Sequence, residues 1–324
     1  MTGPAMAPRT ATRPAPWAFA APWGARGYVT DLDGPVHWVE FGQDRGPGQD
    51  DEPPIVFVHG LGGSHLNWCL IGSALAASRR VVALDLHGFG LTPGTRGTST
   101  VQRNARLLDR FVREVTGTPV VLAGNSMGGL ISILQTATAP DTVRGLVLID
   151  PALPLPRQAP DWQVASQFLL YTIPGLGELY LRRLQSRQTP QLAVQRVIDL
   201  CFANPSRADP AMVTAAVALA AEREAAPHRD ESLLAAARSL MRVVGRSRRY
   251  FATMAAVGVP VLLIGGTADR LVPVAAVRQA AARNPRWESV TLAGIGHTPQ
   301  LEVPGQLLGA LTDWLDRHFT LTAR

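Results

Sequence analysis

Short apolar runs rich in β-branched residues recur along the chain: Ile55–Val58, Val81–Leu84, Val120–Ala123, Leu146–Ile149 and Val261–Ile264. None alternates apolar with polar, so each reads as a strand buried on both faces. Segments of helical spacing lie between them, such as Val101 to Val115, where Leu107, Leu108, Phe111 and Val112 share one side. A run from Val36 to Phe41 supplies an earlier strand and Ser289 to Leu292 the last one. Strand, helix, strand in repetition predicts the α/β class, with a mostly parallel sheet covered by helices on both faces.

The alternation breaks between Pro151 and Phe251. That stretch is Pro-punctuated, rich in Ala, Leu and Arg, and has no comparable strand run. Several short helices inserted into one α/β core account for it better than two domains in series. The expected division is residues 28–150 and 251–324 for the core and 151–250 for a helical cap. Residues 1–27, rich in Ala and Pro, are expected to be a disordered tail. Pro14, Pro16 and Pro22 interrupt the apolar stretch after Arg9 and Arg13, which argues against a signal peptide. No run approaches the roughly 18 apolar residues of a membrane span, so a cytoplasmic protein is expected. The net charge of +6 rests on Arg alone, since no Lys occurs, and the arginines are scattered. Nucleic acid is therefore not an expected partner.

The turns after the strands carry the chemistry. Gly124-Asn125-Ser126-Met127-Gly128-Gly129 follows one strand run and opens a helical segment, the context a G-x-S-x-G nucleophile turn requires. Neighbours without side chains let the backbone close sharply and hold Ser126 out above the sheet edge. His59-Gly60-Leu61-Gly62-Gly63 follows the Ile55 run. Backbone N–H groups of Leu61 and Met127 would converge there on a developing alkoxide. Gly60-Leu61-Gly62 begins like a dinucleotide fingerprint, but His65 stands where its third glycine is needed. Asp269 follows the Val261 run and His297 the Ser289 run, giving the chain order serine, acid, histidine.

These motifs resemble the α/β-hydrolase superfamily from about Tyr28 onward. Asp85-Leu86-His87-Gly88-Phe89-Gly90-Leu91-Thr92 is similar to that family's D-x-x-G-x-G-x-S stretch, and His297-Thr298-Pro299-Gln300-Leu301-Glu302 resembles its tail segment. The resemblance implies an α/β-hydrolase fold with a helical cap inserted after the sixth strand. It also implies a serine hydrolase with Ser126, Asp269 and His297 as catalytic residues. The nucleophile turn further resembles that of carbon–carbon hydrolases of ring-cleavage products. Those enzymes usually carry Trp after the histidine, where this chain has Thr298, and Asn after a Trp, whereas Asn67 precedes Trp68.

Other residues compete for roles. Asp150 ends the Leu146 run and is the alternative acid, while Asp85 is expected to fix its own loop. His59 reads as a structural member of the oxyanion loop, and His65 and His87 have no paired role. Arg238, Arg242, Arg246 and Arg249 fall on one helical face, read as solvated. Cys69 and Cys201 read as buried thiols, not a disulfide. No H-E-x-x-H or Cys/His cluster occurs, so neither a metal nor another cofactor is expected. Within the cap, Trp162, Phe168 and Tyr171 belong to the densest apolar stretch and are the candidate substrate-binding residues.

The expected activity is hydrolysis of a small-molecule carboxylic ester bearing an apolar group, through an acyl-enzyme. Cleavage of vinylogous diketones, or a non-catalytic ligand-binding role on the same fold, are the alternatives. Turnover of p-nitrophenyl esters and labelling by a fluorophosphonate separate the last from the others.

Overall fold

The computed structural model describes residues 11–42, 52–95, 97–156, 170–185 and 189–319. Nine strands form one sheet in the order β1-β2-β3-β5-β4-β6-β7-β8-β9. They are β1 Thr12–Pro14, β2 Ala25–Asp31, β3 Pro35–Phe41, β4 Ile55–Val58, β5 Val81–Leu84, β6 Val120–Asn125, β7 Val143–Ile149, β8 Val261–Gly266 and β9 Glu288–Leu292. From β5 to β9 the sheet is parallel, while β1, β2 and β3 pair antiparallel and β3 joins β5 antiparallel.

Alternate residues of each central strand enter two separate cores. Val56, Val58, Leu122 and Leu148 belong to one, and Ile55, Phe57, Val121 and Ile149 to the other. This is why the runs are apolar without alternation: both faces lie under helices. The first core is closed by helices α2 Val101–Phe111 and α3 Met127–Thr138, the second by α1 Cys69–Leu75 and the C-terminal helix Pro304–Phe319. Helix α2 starts on a Thr100 side-chain cap and passes into a π-turn over Val112–Thr116.

The expectation of a disordered tail over 1–27 is overturned where the chain is described. Thr12–Pro14 pairs with β2, and β2 itself begins at Ala25. The Thr12 and Thr30 hydroxyls are hydrogen-bonded at 2.8 Å. Proline is tolerated here because β1 is an edge strand with no further neighbour to receive an N–H. The strand is exposed along its length and so carries no hydrophobic signal. Residues 1–10 lie outside the described residues. With β1 added, the family's sixth strand is the seventh in this chain.

Between β7 and β8 the described residues form helices and no strand. In chain order they are α4 Leu176–Gln185, α5 Pro190–Cys201, α6 Pro210–Glu222, α7 Arg229–Gly245 and α8 Ser247–Ala255. Arg238, expected on a solvated face, instead joins two of these helices. Its guanidinium pairs with Glu178 at 3.0 Å and donates to the Tyr171 carbonyl at 3.0 Å. Arg242, Arg246 and Arg249 are not buried. No helix among the described residues is long and apolar enough to cross a membrane.

Candidate active site

Parallel strands bring their carboxyl ends to one edge, so the turns after β4, β6, β7, β8 and β9 share one region. Those turns carry the His59 loop, Ser126, Asp150, Asp269 and His297 respectively.

Ser126 sits at φ +54°, ψ −118°, a conformation that side-chain-bearing residues avoid. The turn is held by its N–H donating to the Ile149 carbonyl and its own carbonyl accepting from Ala152 and Leu130. Gly124 and Gly128 make the turn possible. A Cβ on Gly124 would lie 2.6 Å from the Gly128 backbone, and one on Gly128 would run into the Val58 carbonyl. Helix α3 starts at Met127, so its positive end lies directly beside the serine. Gly60, in the loop after β4, packs so close that a Cβ there would come within 3.2 Å of the Ser126 Cβ. Among the described residues neither the Leu61 nor the Met127 N–H is committed to an acceptor.

His297 is buried, and its Nδ1 lies 2.7 Å from Asp269 Oδ2. The other oxygen of Asp269 accepts from the Leu271 and Val272 N–H groups at 2.7 and 3.0 Å, which fixes the carboxylate plane. The structure therefore pairs Asp269, not Asp150, with the histidine. Asp150 is fully buried at φ +41°, and its Oδ1 accepts from the Gly266 N–H at 2.8 Å. Burial first, and the negative charge of Asp269 second, hold its carboxyl well above the usual carboxylate range. Asp150 is thus held towards its protonated form beside the paired acid.

Several residues to which the sequence alone assigns no role hold this arrangement. Asn125, buried before the serine, donates from Nδ2 to the carbonyls of Ile149 and His297, both at 3.0 Å. Glu302 accepts from the N–H groups of Gly296, Ala203 and Asn204 and from Arg207. The His297 N–H donates to the Cys201 carbonyl at 2.6 Å, so the end of α5 is anchored on the histidine loop. The motif around Ser126 locates Asn125 in sequence, but nothing in a single sequence pairs it with His297.

Asp85 holds its loop as expected, and through more partners than its loop alone. It accepts from His37 Nδ1, the His65 N–H, His65 Nδ1 and the Leu91 N–H. His65, expected to have no paired role, thus has one. His37, His65 and Asp85 are the group among the described residues whose atoms could hold a metal. The four hydrogen bonds already satisfy the carboxylate, so the chemistry of the site does not call for an ion. His59 donates from Nδ1 to the Gly60 carbonyl and accepts from the Leu86 N–H at Nε2. Burial lowers its pKa to about 4, which suits a neutral structural brace.

A cavity of about 340 Å³ is lined by Ser126, His297, Leu61 and Phe89 below and by Tyr171, Leu181 and Leu233 above. A second cavity of about 260 Å³ adjoins it between the Gly62–Asn67 segment and helices α5 and α6. Tyr171 therefore lies at the site, whereas Trp162 and Phe168 fall outside the described residues. Cys69 is buried as expected, whereas Cys201 is only partly buried: it lines both cavities, where desolvation pushes its thiol up to about 12.

Residues 55–310 match the model of the alpha/beta hydrolase family. Among curated proteins, the chain is 26% identical over 317 residues to a Pseudomonas putida protein, the dihydrolipoyllysine-residue acetyltransferase component of an acetoin cleaving system. The match covers 93% of this chain and 75% of that one. It is 30% identical over 265 residues to the pimeloyl-[acyl-carrier protein] methyl ester esterase of Xanthomonas axonopodis pv. citri (strain 306), covering 80% of this chain and 93% of the other. Among solved structures, Cfl2 from Burkholderia cenocepacia superposes with a TM-score of 0.74 at 23% identity, covering 94% of this chain and 99% of that one. With a family match over residues 55–310, most of its length, the chain belongs to the alpha/beta hydrolase family.

Proposed function

We propose that the chain is a serine hydrolase that cleaves carboxylic esters bearing an apolar group through an acyl-enzyme. The observation that carries this reading is the 2.7 Å contact between His297 Nδ1 and Asp269 Oδ2 beside a cavity that also contains a serine at positive φ. Similarity to an enzyme named as a methyl ester esterase supports ester substrates.

Ser126 Oγ attacks the ester carbonyl carbon while its proton passes to His297 Nε2. Asp269 holds the other ring nitrogen, fixing the tautomer and stabilising the imidazolium. The carbonyl electron pair moves to oxygen, where the N–H groups of Leu61 and Met127 receive it. Collapse breaks the bond to the alcohol oxygen, which leaves with the proton from His297. Water then gives a proton to His297 as its oxygen attacks the acyl carbon; the bond to Ser126 Oγ breaks, Oγ takes the proton back from His297, and the carboxylic acid leaves. The described residues between β7 and β8 act as a cap that shapes the cavities and takes no part in bond breaking, with Tyr171 as one wall.

The test is a fluorophosphonate probe together with a panel of p-nitrophenyl esters, thioesters and vinylogous diketones. The reading requires labelling at Ser126, lost in Ser126→Ala, and ester turnover that labelling abolishes. Turnover confined to diketones would move the activity to carbon–carbon cleavage. A folded protein with neither labelling nor turnover would make it a binding protein.

A further inference from the structure

Arg223 follows helix α6 and points back into the molecule. Its Nη2 donates to the Gly88 carbonyl at 2.7 Å, and the guanidinium lies 6.0 Å from the centre of the Phe89 ring. Burial pulls its pKa down to about 10, with the charge of Arg229 adding to the effect, so it remains a cation at neutral pH, stripped of much of its water. Asp85 attracts it from a distance, but the oxygens of Asp85 are already filled by four N–H donors.

Neither Arg223 nor Arg229 forms an ion pair among the described residues, although both line the catalytic cavity and its apolar neighbour. Among the described residues, the acids facing the same space are Asp230, in the catalytic cavity, and Asp209, in the neighbouring one. Asp209 is engaged as the cap of α6, accepting from the Met212 N–H at 2.8 Å. Thr298, the residue after His297, lines both cavities as well, and its buried hydroxyl has no partner among the described residues. Two cations and a hydroxyl donor are therefore shared by the linings of both cavities. A desolvated guanidinium is costly unless an anion completes it, and its donor fork matches carboxylate and phosphate oxygens.

We propose that Arg223 and Arg229 form an anion subsite, and that the preferred ester carries a carboxylate or phosphate group in addition to its apolar chain. The proposal rests on the hydrolase reading for the ester and on the two arginines for the anion. The apolar chain lies in the cavity lined by Ile198, Met212 and Leu219, while the anionic group is held by the two arginines.

The test compares mono-esters of linear dicarboxylic acids, in a series of spacer lengths, with the matching neutral diesters and with an ester bearing a phosphomonoester. The expected result is a wild-type kcat/KM for at least one anionic series about tenfold or more above its neutral partner, the order of one charge-assisted contact. Arg223→Gln and Arg229→Gln should each shrink that ratio through KM, and Arg229→Lys should retain part of it. The series that responds names the anion. Should Arg223→Gln unfold by circular dichroism, Arg229→Gln decides, because the Arg229 side chain has no hydrogen bond to lose among the described residues. Equal or lower turnover of every anionic ester, or a ratio unchanged in Arg229→Gln, overturns the proposal while leaving the hydrolase reading intact. Calorimetric binding of the same mono-esters and diesters to the Ser126→Ala protein provides a readout independent of turnover. Preference there for the anionic form supports the subsite even if no ester is hydrolysed, and its absence overturns it.

Discussion

Asn125 Nδ2 donates to the backbone carbonyl of His297 across 3.0 Å, tying the residue before the serine to the histidine that shares its cavity. The same amide donates to Ile149, so one buried side chain spans the ends of β6, β7 and the loop after β9. Asn125→Ala takes this donor from the His297 carbonyl at a cost of about 1–3 kcal/mol, while the Ile149 carbonyl keeps the Ser126 N–H. The expected outcome is a folded protein of lower stability in urea, with kcat reduced by about tenfold or more and KM little changed, since the histidine loses its support and not its substrate contacts. An unaltered kcat would show that the loop after β9 holds His297 without help.

Ser126→Ala should abolish ester turnover and fluorophosphonate labelling. Residual activity above about a thousandth of the parent would reject Ser126 as nucleophile. The strained backbone adds a second expectation. Glycine adopts φ +54° without penalty, so Ser126→Gly should be more stable than Ser126→Ala by about 1 kcal/mol in chemical denaturation.

Asp269→Asn should reduce kcat/KM by roughly 10³–10⁴, whereas Asp150→Asn should retain most activity. The neutral amide that Asp150→Asn introduces can keep the Gly266 hydrogen bond and still present a donor towards Asp269. The pH dependence of stability separates the two as well. An unfolded Asp titrates at about 4, while native Asp150 keeps its proton to well above the usual range. Between those limits the native state holds one proton more than the unfolded state. Stability contributed by Asp150 is therefore full below about pH 4 and is lost at about 1.4 kcal/mol per pH unit as pH rises towards the native value. Asp150→Asn removes that slope, so its advantage over the parent in urea unfolding should grow from pH ~5 upward. A constant difference across pH would mean that Asp150 is ionised in the folded state.

The parts of the site legible in sequence are those fixed by local backbone demands. Gly124 and Gly128 are needed within one turn of chain around Ser126, and the strand runs announce themselves because both faces are buried. The pairing of Asp269 with His297 is also accessible, since each ends a strand in the expected order. Contacts between distant segments are not. Asn125 with His297, Glu302 with Ala203 and His65 with Asp85 depend on which loops the sheet order brings together. The N-terminal strands are hidden for another reason. Thr12–Pro14 is an exposed edge and β2 is half-polar with Gly27 inside it, so neither has the hydrophobic pattern that marks a strand.

Glu302 joins the cap to the histidine loop. Its Oε2 accepts from Ala203 and Gly296, and its Oε1 from Asn204 and Arg207. Glu302→Gln replaces one of these oxygens by an N–H₂ that faces donors, so two contacts turn repulsive. A stability loss of about 1–3 kcal/mol is expected. Because Gly296 precedes His297, kcat should fall as KM rises. A change in KM alone would confine the role of Glu302 to the cap.

The cap should govern chain length without touching the chemistry. Tyr171 forms a wall of the cavity that holds Ser126 and His297, and the adjoining cavity of about 260 Å³ is lined by Ile198, Met212, Ala216 and Leu219. Burying a methylene there contributes about 0.8 kcal/mol, or roughly fourfold in affinity per carbon. Such contacts exist in ground state and transition state alike, so they act on KM more than on kcat. Ala216→Phe fills the apolar cavity and should shorten the preferred acyl or alkyl chain, raising KM for long esters while short ones react as before. Tyr171→Ala enlarges the catalytic cavity and should relax the preference towards bulkier esters, with fluorophosphonate labelling at Ser126 preserved in both variants. The measurement is a chain-length profile of kcat and KM for each protein. A collapsed kcat with an unchanged profile in Tyr171→Ala would mean that this tyrosine supports the catalytic geometry. The division of labour between cap and core would then fail.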